Sequence, residues 1–366
     1  MSSPSWQVLP TCGVEARGLR LGQLTPEQAR QVQAQFDAHG VVFFRDVGEF
    51  ATDDHVAFAS HFGQINVNRF FEPVEANSAI AKVEKLANQV TAVGELFHTD
   101  HSYDLEPALG SVLVAKQLPQ TGGDTVFVDM RKAYDSLPES LKAQIVGLRA
   151  VHSSRQVFGK PREDQGTGKS IYHNAHVATQ DTVHPVVIVH PRSGRKTLYV
   201  NPSFTIQFEG KTPEESQPLL QALYHHAVQS CNMTRFHWEQ GSVAMWDNRA
   251  VWHCAMNDYQ GEYRLMHRVT IDGCKLVAAD DASKGSEPYH GEVPDVLVPR
   301  YPRTVMDLPY VMLQLQTVAE AMRNLDAYAR LHGEDAPPIK PWWPEIKWYH
   351  TVLLKAMGYL GMHPRL

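Results

Sequence analysis

The sequence predicts a mainly β domain with inserted helices (α+β), folded as an antiparallel barrel or a jelly roll. Short strand-like runs recur between turns rich in glycine and proline, and amphipathic helices interrupt them. The chain shows no regular alternation of strands and helices and no glycine-rich nucleotide-binding motif. We therefore do not expect a doubly wound α/β sheet.

The first predicted elements are two helices around a buried strand. Residues 25–38 have helical spacing, with Thr25 placed to cap the helix and Pro26 at its first position. The apolar run GVVFFRDV at 40–47 has the length of a strand, and residues 52–63 predict a second capped helix.

The rest of the domain is predicted to be strands joined by turns, with two further helical segments. The helical segments are 130–148, interrupted at Pro138, and 212–229. The predicted strands are 108–118, 125–130, 184–190, 196–200, 241–248, 250–256 and 263–272.

The composition changes near residue 275. Residues 275–300 are polar and rich in glycine and proline, and a helical pattern and a segment rich in tryptophan, tyrosine and proline follow. We expect residues 1–274 to form the jelly-roll domain and 275–366 to form a linker and a helical, aromatic-rich C-terminal extension. This extension is expected to pack on the barrel or on a second subunit of a homo-oligomer, and a substrate lid is the alternative.

Charge and composition exclude several classes of protein. The net charge of −6 without a basic run argues against nucleic acid as a partner. No apolar run approaches the roughly 20 residues of a membrane helix. The N-terminus lacks a secretory signal pattern, and the four cysteines form no CxxC pair, so we expect a cytoplasmic protein. We also expect a small-molecule substrate, because of the motifs described below.

The stretch FHTDHSY contains a candidate metal motif. On a strand, His98 and Asp100 point to the same side, because alternate side chains share a face. Such a pair alone is also compatible with a hydrogen-bonded core pair, and His237 with Glu239 has comparable spacing. A metal site therefore requires a third ligand from elsewhere in the chain.

A second group of residues, 246–273, supplies the missing partners. His253 lies in an apolar strand, and Arg264 and Arg268 follow at a spacing that places both arginines on one face. Two histidines and one carboxylate leave three positions of an octahedral ion open, as in non-haem Fe(II) oxygenases. A nearby arginine suits 2-oxoglutarate, which chelates at one end and carries a carboxylate at the other.

With these motifs the chain resembles the taurine and 2,4-dichlorophenoxyacetate dioxygenase group, the TauD/TfdA-like Fe(II)/2-oxoglutarate enzymes. The resemblance covers roughly residues 15–273. It rests on FHTDHSY, LPQTGGDTVF, HPRSGRKTLYVNPSF and MWDNRAVWH with YRLMHRVTI, in the order and at the spacing of the family. It implies a double-stranded β-helix, a jelly roll of two facing sheets.

The resemblance also implies roles for individual residues. His98, Asp100 and His253 match the iron ligands of the family. Arg264 matches the residue that binds the distal carboxylate of 2-oxoglutarate, and the hydroxyl of Thr125 would help it. Fe(II), 2-oxoglutarate and O2 are therefore the expected cofactor and cosubstrates.

The substrate side departs from the taurine pattern. Arg268 resembles a position that meets an anionic substrate, and Trp246 would line the pocket. Asn68 and Phe71 stand where taurine-using relatives carry a histidine and a tyrosine, and Gly94 replaces an expected asparagine. These differences weaken taurine as the substrate and favour a larger or less polar organic acid.

Structural alternatives exist for three of these side chains. Arg268 could orient the aspartate of the metal motif instead of binding substrate. Arg264 could pair with Asp258 or Glu262, and Thr125 could cap local backbone. The sequence alone leaves these alternatives open.

The predicted reaction is oxidation of a substrate C–H bond, with hydroxylation expected and with succinate and CO2 released. The same centre could desaturate, cyclise or epoxidise a natural-product intermediate instead. A zinc hydrolase is a rival from another class, although it would leave Arg264 and Thr125 without a role. A silent cupin-like binding protein is disfavoured because all three ligand positions are intact, and Asp100 argues against a halogenase.

Overall fold

The computed structural model describes residues 4–75, 77–159, 164, 166–291 and 293. Its strands are β1 (Ser5–Val8), β2 (Val14–Arg17), β3 (Val41–Arg45), β4 (Ile65–Asn66), β5 (Pro73–Val74), β6 (Asn77–Lys85), β7 (Gly110–Gln117), β8 (Thr125–Asp129), β9 (Arg149–Ser153), β10 (Asp181–Pro185), β11 (Val187–Val189), β12 (Lys196–Leu198), β13 (Thr205–Phe208), β14 (Met233–Phe236), β15 (Val243–Asp247), β16 (Val251–Ala255), β17 (Arg264–Ile271) and β18 (Glu287–Pro288). Its α-helices are α1 (Pro26–His39), α2 (Thr52–Ser60), α3 (Met130–Asp135), α4 (Glu139–Ile145), α5 (Arg155–Phe158) and α6 (Pro213–Ala227).

The strands form one large sheet and smaller sheets. The large sheet has the order β1-β2-β3-β15-β7-β17-β6-β5, with β4 paired to β17. The smaller sheets are β14-β8-β16, β13-β9-β10-β18 and β11-β12. Every pairing is antiparallel except that of β2 with β3. The predicted jelly roll, mainly β with inserted helices, is confirmed.

The large sheet is covered on both faces. Val42 and Phe44 of β3 belong to a core cluster with the helical residue Phe36, whereas Val41 and Phe43 belong to an interior cluster with Phe127 of β8. Alternate residues of a strand point to opposite faces, so both sets are buried. Because neither face of β3 meets water, its first four residues are all apolar instead of alternating with polar residues.

The helix boundaries follow local sequence signals. The hydroxyl of Thr25 accepts the backbone N–H of Gln28, whose side chain in turn accepts the N–H of Thr25, as the predicted cap requires. The helix ends at His39, and the capping residue Gly40 that follows has a φ of 75°. The segment predicted at 130–148 is divided into α3 and α4 on the two sides of Leu137 and Pro138.

Two predicted elements differ from the structure. The helix expected at 52–63 ends at Ser60. The single strand expected at 184–190 is two strands, because Pro185 ends the pairing of β10 with β9 and the next residues pair with β12. The backbone N–H of Val186, between the two strands, donates to Leu148. A proline cannot donate to a ladder, so the chain changes partner there.

The described part of the extension, 275–291, continues the folded domain. Leu276 is fully buried, and β18 pairs with β10. The remainder of the predicted extension, with its aromatic tail, lies outside the described residues, so its packing and the domain boundary at 274 stay predictions. In the described residues, no helix is long and apolar enough to cross a membrane.

We expect the free energy of unfolding to fall as the pH drops below about 6.5, in part through His184. Burial lowers the pKa of His184 to about 4. The ring donates from Nε2 to the carbonyl of Ser102 and accepts at Nδ1 from Ser286. In the unfolded chain the imidazole takes up a proton near pH 6.5, so acidification to pH 5 favours unfolding by about 2 kcal/mol.

Denaturant titrations of the wild type and His184→Gln at pH 7.5 and pH 5 measure this effect. The pH-dependent loss should be about 2 kcal/mol smaller in the variant, because glutamine does not titrate in this range. His61→Gln, at an exposed histidine, is the control and should keep the wild-type loss. An equal loss in His184→Gln and the wild type would contradict the assignment.

Candidate active site

The candidate site begins with a backbone contact between two distant segments. The N–H of His98 donates to the carbonyl of His253 at 3.1 Å, and the N–H of His253 donates back at 2.8 Å. The two residues thus form an antiparallel bridge that joins the segment of His98 to β16. Their ring centroids lie 4.1 Å apart. This pairing places both imidazoles next to Asp100.

Side-chain atoms of three buried residues converge at this point. Nε2 of His98 lies 3.6 Å from Oδ1 of Asp100, and Nε2 of His253 lies 3.8 Å from Oδ2. One potential ligand atom from each residue lies within 4.8 Å of the others, and within the described ranges this is the one group of this kind. His98 Nδ1 donates to the carbonyl of Leu96 at 2.7 Å, which leaves Nε2 unprotonated and free to bind a metal.

The charges in the site suit a cation. Burial lowers the pKa of His98 and of His253, so both rings stay neutral. Burial alone would raise the pKa of Asp100, but the guanidinium of Arg268 holds it well below its usual value. Two neutral nitrogen ligands and one carboxylate fit Fe(II), which binds imidazole and oxygen ligands.

Arg268 orients Asp100. Its Nη1 donates to both carboxylate oxygens, at 3.1 and 3.3 Å, and the hydroxyl of Ser111 donates to Oδ2 at 2.9 Å. Arg268 also borders the adjacent cavity, where its guanidinium lies 4.6 Å from the ring centre of Phe71. Its Nε is buried without a hydrogen-bond partner among the described residues. The two roles that the sequence left open are therefore compatible.

Asn248 fixes the metal motif, and the sequence analysis did not identify it. Its carbonyl accepts the hydroxyl of Thr99, and its Oδ1 accepts the backbone N–H of Asp100 at 3.3 Å. The same Oδ1 accepts the indole N–H of Trp246 at 2.9 Å. The expectation that Trp246 lines the pocket does not agree with its position, because the ring lies against His253 and is 1% exposed.

The turn that carries Asn248 is anchored by a buried ion cluster. Asp247 accepts two hydrogen bonds from the guanidinium of Arg249 and one from Nε2 of His190. Burial would raise the pKa of Asp247, but Arg249 and His190 keep it far below its usual value. This cluster joins the motif HPRSGR to the motif WDNR, and no sequence signal in either motif alone indicates the contact.

Arg264 is also buried, and some of its N–H groups are available to a ligand. Its Nε and Nη2 have no hydrogen-bond partner in the described part of the chain. Burial lowers the pKa of Arg264, although the neighbouring Tyr259 opposes this effect. The predicted alternative partners are engaged elsewhere, because Asp258 pairs with Arg235 and Glu262 accepts a backbone N–H. A buried guanidinium without an anion is costly, so the site fits an anionic ligand.

A glycine turn two residues before Thr125 lies beside this guanidinium. Gly123 has a φ of +70°, and a Cβ there would lie 3.2 Å from Cδ of Arg264. The hydroxyl of Thr125 accepts the indole N–H of Trp238 at 3.0 Å. Thr125 and Arg264 thus present donors that a carboxylate such as the distal one of 2-oxoglutarate could use.

The cavity next to the three convergent residues combines polar groups with an apolar wall. Asn68 borders it, but its Nδ2 donates to His101 and its Oδ1 accepts the N–H of Phe70. His101 binds Asp104 through Nδ1 and is thus turned to a structural network. The apolar wall consists of Phe71, Val93, Leu96, Tyr103, Val157, Phe158, Tyr172 and Phe204.

Comparison with known proteins gives a consistent result. The family described as taurine catabolism dioxygenase TauD, TfdA family, matches residues 7–270. An alpha-ketoglutarate-dependent sulfate ester dioxygenase of Pseudomonas putida is 31% identical over 271 residues, which cover 73% of this chain and 89% of the relative. A 2,4-dichlorophenoxyacetate dioxygenase of Burkholderia sp. (strain RASC) is 33% identical over 276 residues, which cover 70% and 90%.

The fold agrees with this family. The crystal structure of a taurine dioxygenase from Burkholderia xenovorans superposes with a TM-score of 0.64 at 32% identity, and covers 82% of this chain and 98% of that one. The family uses Fe(II), 2-oxoglutarate and O2, and the convergent histidines and aspartate suit that metal. The chain therefore belongs to the TauD/TfdA family and is an Fe(II)- and 2-oxoglutarate-dependent oxygenase.

Proposed function

We propose that His98, Asp100 and His253 hold a single Fe(II) ion, and that Arg264 and Thr125 bind the distal carboxylate of 2-oxoglutarate. The observation that carries this proposal is the convergence of three ligand atoms within 4.8 Å, together with a buried arginine two of whose nitrogens have no hydrogen-bond partner among the described residues. With iron and 2-oxoglutarate bound, the centre supplies oxidation of a C–H bond by O2, with succinate and CO2 as by-products.

The chain contributes orientation and charge. Arg268 and Ser111 hold the carboxylate of Asp100 in one orientation, in which it would serve as a metal ligand. Burial keeps His98 and His253 neutral, so their nitrogen lone pairs remain available. The buried guanidinium of Arg264 would hold the distal carboxylate of 2-oxoglutarate.

The substrate is proposed to be a small organic anion with an apolar body. Arg268 supports the anionic part, because its unpartnered Nε belongs to a guanidinium that borders the cavity. The aromatic wall, with Phe71, Tyr172 and Phe204, supports the apolar part, because burial of such a body against it is favourable. Relatives with this fold act on sulfate esters and on 2,4-dichlorophenoxyacetate.

Two further proposals concern the setting of the enzyme. Among the described residues no disulfide joins any of Cys12, Cys231, Cys254 and Cys274, which supports a reducing compartment such as the cytoplasm. Self-association through the C-terminal extension remains a proposal that gel filtration of the full chain would test.

We expect the Fe(II)-loaded protein under anaerobic conditions to develop a weak visible absorption band when 2-oxoglutarate is added. His98→Ala should abolish the band, because two remaining ligands do not hold the ion. Arg264→Ala should keep the band but require about a hundredfold more 2-oxoglutarate, since a charge-assisted bidentate contact contributes about 3 kcal/mol. Titration of the band measures both effects.

Arg30→Ala is the matched control, because that arginine is exposed on α1 and its loss should leave the titration unchanged. Normal affinity for 2-oxoglutarate in Arg264→Ala would contradict the proposed role of the arginine. Analysis of the product would distinguish hydroxylation from desaturation, cyclisation or epoxidation.

We expect Arg268→Met to destabilise the metal-free protein by about 3 kcal/mol. The substitution leaves the Asp100 carboxylate buried without its guanidinium, and breaking a buried ion pair from one side has a cost of this size. Asp100→Asn in the same chain should recover part of the loss, because no uncompensated charge remains. Urea unfolding in the presence of a chelator measures the three proteins, and a loss below about 1 kcal/mol in Arg268→Met would contradict the pairing.

A further inference from the structure

A buried tryptophan makes a hydrogen bond to a residue of the proposed 2-oxoglutarate site. Trp238 follows β14 and is 9% exposed, and its Nε1 donates to Oγ1 of Thr125 at 3.0 Å. Its ring meets Phe236 edge-on at 4.8 Å, and Phe236 stacks on Phe43 at 4.3 Å. These ring contacts fix the direction of the indole N–H.

The bond from Trp238 constrains the hydroxyl hydrogen of Thr125. A threonine hydroxyl has one hydrogen to donate and two lone pairs, and an indole N–H can only donate. Because Trp238 occupies a lone pair of Oγ1, the hydroxyl hydrogen must point away from the indole. The hydrogen bonds of the described residues include no acceptor for that hydrogen.

The hydroxyl and the guanidinium of Arg264 lie on the same side of the strands that carry them. Thr125 lies two residues before Phe127, and Arg264 lies two residues before Met266, so the members of each pair share one face of their strand. Both of these apolar residues belong to the interior cluster. A Cβ added at Gly123 would lie only 3.3 Å from Nε of Arg264, so the turn that leads into β8 passes close to the guanidinium. The Thr125 hydroxyl and the Arg264 guanidinium thus present buried donors that have no acceptor among the described residues. An ionised carboxylate has only acceptors to offer.

We infer that Trp238 is a positioning residue for the cosubstrate: it directs the Thr125 hydroxyl toward the carboxylate that Arg264 binds. The inference rests on the proposed function of Arg264 and Thr125. Trp238 does not touch 2-oxoglutarate itself, and it acts by holding one donor in the orientation that binding requires. Without the indole N–H, the hydroxyl rotates among several directions and part of the binding is lost.

The test measures binding instead of turnover. Mn(II) replaces Fe(II), and calorimetry gives the dissociation constant of 2-oxoglutarate for the wild type, Trp238→Phe, Thr125→Val and the double variant. We expect Trp238→Phe to weaken binding about three- to tenfold, the range that one net hydrogen bond supplies. The double variant should bind like Thr125→Val, because the tryptophan acts through the hydroxyl.

A second ligand distinguishes positioning from general damage to the fold. The 2-oxo acid 2-oxobutyrate lacks the distal carboxylate, so Trp238→Phe should bind it as the wild type does. Thr125→Ser keeps the hydroxyl and should bind 2-oxoglutarate within about twofold of the wild type. Trp6→Phe, which alters a tryptophan packed on the outer core cluster, is the control for loss of an indole and should change neither ligand.

The outcomes separate the inference from the proposal beneath it. Wild-type affinity for 2-oxoglutarate in Trp238→Phe, or equal weakening of both ligands, overturns the role of Trp238 alone. Equal effects of Trp238→Phe in the presence and the absence of the Thr125 hydroxyl also overturn it. Unchanged affinity in Arg264→Ala would instead refute the proposed cosubstrate site.

Discussion

The backbone bridge between His98 and His253 is the contact on which the rest of the site depends. It joins the segment of His98, which lies outside the named strands, to β16. His98 and His253 each carry an imidazole next to their backbone hydrogen bonds. Asn248 holds the two residues that follow His98, so the metal motif is fixed at both ends. A site that is built into sheet pairing keeps its geometry without depending on long, flexible side chains.

Buried donors that lack acceptors indicate where ligands belong. Arg264 has two such nitrogens, and Arg268 has one in addition to its bonds with Asp100. The two arginines differ in their neighbours, because no carboxylate in the described part of the chain is bonded to Arg264, whereas Arg268 is bonded to a buried aspartate and also borders the cavity. This difference supports a cosubstrate role for Arg264, and a combined structural and substrate role for Arg268.

Local patterns in the sequence were sufficient for most of the framework. The capped helix α1, the strands β7, β8, β15, β16 and β17, and the division of the helical segment at Pro138 all follow from periodicity and from turn or cap residues. The spacing of His98 and Asp100 indicated a candidate pair of ligands, and the resemblance of the motifs to a known family added His253; these three residues converge. Apart from the assignment of His253, these features depend on a few neighbouring residues, and so they can be recognised without knowledge of the fold.

The tertiary structure decided which partner each side chain meets. Whether Arg268 binds Asp100, and which residue holds the hydroxyl of Thr125, depend on contacts between segments more than a hundred residues apart. Whether Trp246 faces the cavity or packs behind His253 depends on the register between β15 and β7. A shift of one residue would reverse every face, and nothing within a single strand specifies that register. The sequence thus indicated which residues are candidates for the site, and the packing of the sheets determined how they are held.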